Sequence, residues 1–363
     1  MKKINSMVRG STKKLSYSKS IFIGLGFFII TATWSLYNSF VPIFLKKYIE
    51  AESIIGFIMT FDNIAAITLQ PFFGALSDNT CTKFGRRLPF ILIGAPIAAV
   101  FYAVIPLADS LLLLIVVLII MNLAMSVFRS PTIALMPDLT PPELRSKANG
   151  LINFMGGIGA VLTFLLGSYL YDLNPFFPFV LLSFLLIIIL ILYLWKLEEP
   201  EKGVKEERIN IFKVIKNIFT IENRNTLYIL LAIFFWFFGY SAVETFFTLY
   251  GKEFLFIKES IAARSLMFFS ASFVVFAIPS GYISSFFGRK NTISFGIIGL
   301  LFTFLILVFL RNVYYINIAL ITGGFFWAFI NINSYPMIVD SVDGKIGTYT
   351  GVYYFFSTLP AIL

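Results

Sequence analysis

Residues 88–107 read LPFILIGAPIAAVFYAVIPL, a stretch without one charged side chain. Apolar stretches of similar length recur along almost the whole chain, and about 20 helical residues are what the hydrocarbon core of a bilayer requires. Nothing else in the sequence restricts the fold as much. Inside lipid, backbone amides must bond within their own helix or within a closed barrel. These stretches are continuous and do not alternate with period two, which argues against a transmembrane β-barrel. The chain is therefore read as an all-α polytopic membrane protein. Its composition agrees: 58% of its 363 residues are hydrophobic and 13% are charged, where a soluble domain carries about 25% charged residues.

The pattern predicts spans at 20–45, 53–77, 88–107, 110–137, 148–172, 175–195, 225–250, 260–285, 291–311 and 313–339. An eleventh starts near Gly347 and is cut short at Leu363, so the second half reads as incomplete. The first 19 residues carry six Lys and Arg, but the apolar stretch after them is too long for a signal-peptide core and has no small-residue cleavage site. They read as a cytoplasmic N-terminus before an uncleaved first span. With that orientation 21 of the 28 Lys and Arg fall in inner segments, as the positive-inside rule expects. The net charge of +9 is accounted for by this topology signal and points to lipid headgroups rather than nucleic acid. The chain has no histidine, so the usual metal ligand and proton shuttle are missing, and no metal, cofactor or catalytic residue is expected. The one cysteine, Cys81, forms no internal disulfide.

One long polar segment divides the chain. Residues 197–224 open with the charge run EEPEKGVKEER and continue as INIFKVIKNIF. In the second part Ile211, Phe212, Ile215, Ile218 and Phe219 share one helical face opposite Lys213, Lys216 and Asn217. The segment reads as a cytoplasmic tether with a short amphipathic helix on the inner membrane surface. The flanking residues, 1–196 and 225–363, read as two units. FGRR at 84–87 returns as FGRK at 287–290, an offset of 203. ALMPD ending at Asp138 returns as PMIVD ending at Asp340, and Asn149-Gly150 returns as Thr350-Gly351. Matches in one order at a nearly constant offset indicate an internal repeat.

Six spans per half put both halves in the membrane the same way up. That arrangement, with the loop GALSDNTCTKFGRRLPF at 74–90, resembles the major facilitator superfamily. The resemblance implies two pseudo-symmetric six-helix bundles. It also implies a gating cluster from Gly74, Asp78, Gly85, Arg86 and Arg87, with Asp138 and Arg145 on the neighbouring inner segment. Such charges latch one face shut in one state and release it in the other. Ser285 stands where the second half would carry the acid, so the latch is expected to be asymmetric. Gln70, Pro71, Gly74, Ser77, Asp78, Gly85, Arg86, Arg87 and Pro89, with Ala134, Leu135, Asp138 and Leu139, narrow the likeness. They resemble the sucrose–proton symporter branch, which is related to the glycoside–pentoside–hexuronide cation symporters. The sequence departs from that branch in two places. Ile133 holds the position of an arginine, with Arg129 one turn earlier. Ala66 and Gln70 replace the acid pair of the melibiose-type carriers, which argues against sodium coupling of that kind.

Charged residues inside spans are costly and mark function by default. Three stand out: Asp62 in span two, Arg129 in span four and Glu244 in span seven. Desolvation disfavours a charged carboxylate, so a buried acid can carry a coupling proton. Asp62 is the leading candidate, Glu244 its rival and Arg129 the cation that pairs with Asp62 in one state. Sugars need amide and hydroxyl partners and aromatic faces. Asn38, Asn63, Trp34 and Asn331 are the candidate lining residues, chosen from a set that also holds Asn122, Asn153, Asn333, Tyr37, Trp236, Tyr240 and Trp327. The resemblance implies proton-coupled uptake of a sugar or glycoside by alternating access, by a monomer in the plasma membrane. The alternative is a proton antiporter exporting amphipathic compounds. A membrane-embedded glycosyltransferase would want acidic clusters or a large extramembrane loop, and the predicted external loops are short. No stretch resembles a channel filter.

Overall fold

The computed structural model describes residues 16–80, 82–140, 145–197, 224–339, 352–353 and 355–361. The basic N-terminal tail, Cys81, the 198–223 tether with its expected amphipathic helix, and Asp340 with the Thr350-Gly351 repeat lie outside the described residues. Ten helices among those described are long and apolar enough to cross a membrane. This is a multi-pass membrane protein. Its helices are α1 (Tyr17–Lys46), α2 (Glu52–Met59), α3 (Phe61–Asp78), α4 (Leu88–Val104), α5 (Leu111–Leu139), α6 (Arg145–Leu162), α7 (Ser168–Leu173), α8 (Phe176–Lys196), α9 (Arg224–Glu253), α10 (Glu259–Phe287), α11 (Arg289–Phe309) and α12 (Val313–Val339). The described residues end in a 3-10 turn, Leu359–Ala361.

Three expected spans are not single α-helices; span three, the mildest case, ends in a 3-10 turn, Ile105–Leu107. Span two divides at Thr60, whose hydroxyl donates to Phe57 O at 2.7 Å. Span five passes through a π turn, Thr163–Gly167, between α6 and α7. The extra residue of a π turn shifts the helical face, a feature that recurs at functional positions.

Lipid is as apolar as leucine, so close backbone approach, not hydrophobic burial, selects which helices pack. The pairings repeat between the halves. α3 packs on α5 as α10 packs on α12; α4 packs on α5 as α11 packs on α12; α1 packs on α6 as α9 packs on the terminal turn. The helix contacts themselves repeat. A Cβ on Gly94 would lie 2.9 Å from Ala124 O and 2.8 Å from Phe128 N. A Cβ on Gly296, 202 residues later, would lie 2.9 Å from both Phe326 O and the Ile330 side chain. Phe326 and Ile330 in turn follow Ala124 and Phe128 by the same 202 residues. The loop glycines repeat as well. Gly85 and Gly288 both adopt positive φ, +100° and +79°, a region that side chains with a Cβ rarely enter.

Buried tyrosines fasten the first half. The Tyr193 hydroxyl donates to Ile23 O at 2.8 Å and accepts from Gly26 N at 2.8 Å. The Tyr102 hydroxyl donates to Thr33 O at 2.9 Å. The halves meet where α10 packs on α6, the π turn and α7, and where α1 packs on α9. Ala160 and Phe164 of span five accordingly belong to the buried cluster built mainly by the second half.

Candidate functional site

At one end of the molecule the loop after α3 folds back on α5. Arg86 pairs with Asp138 Oδ1 and Arg87 Nε donates to Asp138 Oδ2 at 2.9 Å. Arg87 also donates to Ser77 Oγ and, at 3.2 Å, to Gly74 O. The side chains of Arg87, Arg86 and Asp138 are 6%, 11% and 13% exposed, so this ion triad is largely dry. The structure thus joins Gly74, Arg86, Arg87 and Asp138, with positive-φ Gly85 turning the loop. Asp78 is the last residue of α3 and Arg145 the first of α6, and their side chains lie outside the described residues. Among the described residues, the acid that the arginines meet is Asp138. In the second half the equivalent Arg289 donates to a carbonyl, Pro336 O, at 2.9 Å.

Deeper in the first half, Asp62 occupies the first turn of α3, just past the break at Thr60. Helix N-termini favour negative charge. Asp62 Oδ1 accepts from the Asn63 backbone N–H and the Asn63 side-chain amide, both at 2.7 Å. The same amide donates to Ala361 O at 3.3 Å, which links α3 to the terminal turn of the other half. Asp62 lies within electrostatic reach of Arg129 on α5 and Glu244 on α9. Arg129 lies over the Trp34 ring, 5.8 Å from its centroid. Trp34 meets Tyr37 edge-on at 5.2 Å, and Tyr37 accepts from the Asn122 amide at 3.3 Å. Trp34 Nε1 and Asn122 Oδ1 are buried with no hydrogen-bond partner among the described residues, a donor and an acceptor of the kind that buried sites normally satisfy.

In the second half Glu244 lies one turn after Tyr240 on α9. Tyr240 stacks flat on Trp327, with centroids 4.6 Å apart and planes within 1°. Asn331 lies one turn beyond Trp327 and is half-buried, as Asn38 is on α1. Asn333 is different. It is buried, and its amide donates to Ser280 Oγ at 3.0 Å and Phe329 O at 2.9 Å, binding α12 to α10.

At the opposite end a second cluster joins the halves. Arg264 of α10 sits on the face of Tyr169 at 3.7 Å, donates to Ser168 Oγ at 3.2 Å and pairs with Asp172 at 3.5 Å. Ser260 donates to the other oxygen of Asp172. Sequence reading passed over this clamp. The available signal was Arg264 itself, a cation inside an expected span and so in need of a partner.

A family model described as Major Facilitator Superfamily matches residues 23–363. The chain belongs to that superfamily. It is a family of transporters, not enzymes. Among curated relatives, the sucrose transport protein SUC3 of Arabidopsis thaliana is 27% identical over 157 residues, 37% of this chain and 26% of that protein. The class H tetracycline resistance protein of Pasteurella multocida is 25% identical over 224 residues, 60% of this chain and 54% of that protein. The chain thus spans about half or less of the length of these relatives. A point mutant of the nucleoside transporter NupG superposes with a TM-score of 0.74, over 94% of this chain and 90% of that one. At 14% identity that likeness shows the fold.

Proposed function

We propose that this member of the superfamily is a secondary transporter that takes up a sugar or glycoside with a proton by alternating access. In this reading residues 1–196 form one six-helix bundle, 197–224 the tether, and 225–363 part of the second bundle. The N-terminus is cytoplasmic, the protein acts as a monomer in the plasma membrane, and the loop bearing Arg86 and Arg87 faces inward. The Arg264–Asp172 clamp then closes the outer face, while the Arg86–Arg87–Asp138 triad braces the inner end of the first bundle as the gating loop.

The observation that carries the reading is the position of Asp62. It sits at a helix break, near the junction of the halves, within electrostatic reach of Arg129 and of Glu244. A carboxylate so placed exchanges a proton as the site's solvation changes between states. Around it Trp34 supplies a ring face and a free donor, and Asn122 a free acceptor. Asn38, Asn63 and Asn331 add amides, in keeping with a polyhydroxylated cargo. The similarity to a sucrose transport protein supports the same class.

Asp62→Asn tests the assignment in proteoliposomes of the intact protein. The variant is expected to keep sugar counterflow and lose pH-driven accumulation. Normal accumulation by the variant refutes the coupling role. A second reading is proton-coupled export of amphipathic compounds. The similarity to a tetracycline resistance protein, over more of the chain than the sucrose transport protein matches, favours it.

A further inference from the structure

Between α1, the π turn and α8 lies a crevice of about 110 Å³. Among its described lining residues only Thr163 is polar. Leu36, Gly167 and Leu182 form a buried floor. Gly167 keeps that floor open, since a Cβ there would lie 3.1 Å from Leu36 Cδ1. Leu162, Leu166 and Leu181 are exposed and form the mouth. The mouth faces lipid. Phe164 packs into the cluster built by the second half, and Leu162 and Leu166, two residues to either side of it, fall on the opposite side of the helix. Every lining residue lies inside a membrane span.

Such a space suits hydrocarbon. An ordered water needs about two to four polar partners, and a cavity of about 150 Å³ walled by Leu, Ile and Phe stays dry and takes up benzene. Left empty, the crevice forfeits dispersion contacts along every wall. A helix of a second copy is about 10 Å across with its side chains and is too wide to enter. An acyl chain is one methylene wide, and the bilayer supplies it at the mouth. The floor also touches the machinery at the end of the molecule. Ser168 Oγ, next to Gly167, shares its proton between Phe164 O at 2.6 Å and Leu165 O at 2.9 Å inside the π turn, and accepts from Arg264 Nε at 3.2 Å. A chain in the crevice therefore rests on the turn that carries the Arg264–Asp172 clamp. We propose that this crevice is the seat of one acyl chain of a bilayer phospholipid. The assignment rests on the membrane spans and does not depend on sugar–proton uptake.

Photolabelling of the intact protein in phosphatidylcholine nanodiscs tests it, with no gradient and no transport step. Failure of the transport reading therefore leaves this result untouched. The probe is phosphatidylcholine with a diazirine midway along one acyl chain, and labelled residues are mapped by mass spectrometry of peptides. Leu162, Leu166 and Leu181 are expected to carry about threefold more label than Leu301 and Leu305 on α11. The α11 leucines are the more exposed, so passing contact with surrounding lipid predicts the reverse order. Leu166→Trp, which fills the mouth, is expected to lower labelling of Leu162 and Leu181 about threefold and to leave Leu301 and Leu305 unchanged. The proposal is overturned if the crevice leucines take no more label than those on α11, or if Leu166→Trp leaves crevice labelling unchanged. The comparison with α11 uses the natural sequence, so it holds even if the variant folds poorly.

Discussion

Replacing Arg264 by alanine removes three contacts between the halves at once. The bridge to Asp172 is 3.5 Å long and its side chains are 26% and 37% exposed, so it contributes about 0.5 kcal/mol after solvent screening. The approach to Tyr169 at 3.7 Å adds about 0.5–1 kcal/mol. The 3.2 Å bond to Ser168 adds about 1 kcal/mol. Together they bias the closed clamp by about 2 kcal/mol, and the open population rises about thirtyfold when they go. The assay is modification by a membrane-impermeant maleimide from the clamp side. A cysteine at Asn38 is introduced in a Cys81→Ser background. Arg264→Ala is expected to raise the labelling rate about thirtyfold. Asp172→Asn is expected to raise it less, since Tyr169 and Ser168 still hold Arg264. Combining the two changes should add little to Arg264→Ala, because they share one contact set. Labelling within twofold of the parent in Arg264→Ala would refute the clamp as a gate, and so would full additivity.

Asp138→Ala removes a carboxylate that pairs with two largely buried arginines and is expected to destabilise the protein by about 3 kcal/mol, read as thermal unfolding in detergent. Gly94→Val and Gly296→Val each force apart an equivalent helix pair, with an expected loss of about 1–3 kcal/mol apiece. Asn333→Ala should lower stability by about 1–2 kcal/mol with sugar affinity unchanged, and Asn331→Ala should do the reverse.

What the sequence made legible depended on how local the signal was. Lipid solvation acts on every residue of a span, so apolar length alone placed the helices close to where the structure has them. The repeat was legible through loop residues such as Gly85 and Gly288, whose shared positive φ now explains their recurrence. Gly94 and Gly296 sit at the same offset and were overlooked, because an isolated glycine in an apolar run carries no mark of what it packs against. The break at Thr60 was not legible either. MTFDN contains no Pro or Gly, and the interruption coincides with the Thr60 and Asp62 side chains bonding to nearby backbone. The choice of Asp138 as the arginines' partner, and the meeting of Arg264 with Asp172, depend on how distant helices dock. No spacing encodes that. Asn333 shows the converse: by residue type it resembled a lining amide, and by position it ties two helices together.

Proton-coupled sugar uptake with Asp62 as the coupling acid is tested most directly by recording pH outside proteoliposomes of the intact protein while neutral mono- and disaccharides are added. The expected result is alkalinisation that follows sugar entry, saturates with the sugar, and vanishes in Asp62→Asn. Acidification on substrate addition, or sugar entry with no pH change at all, would contradict it.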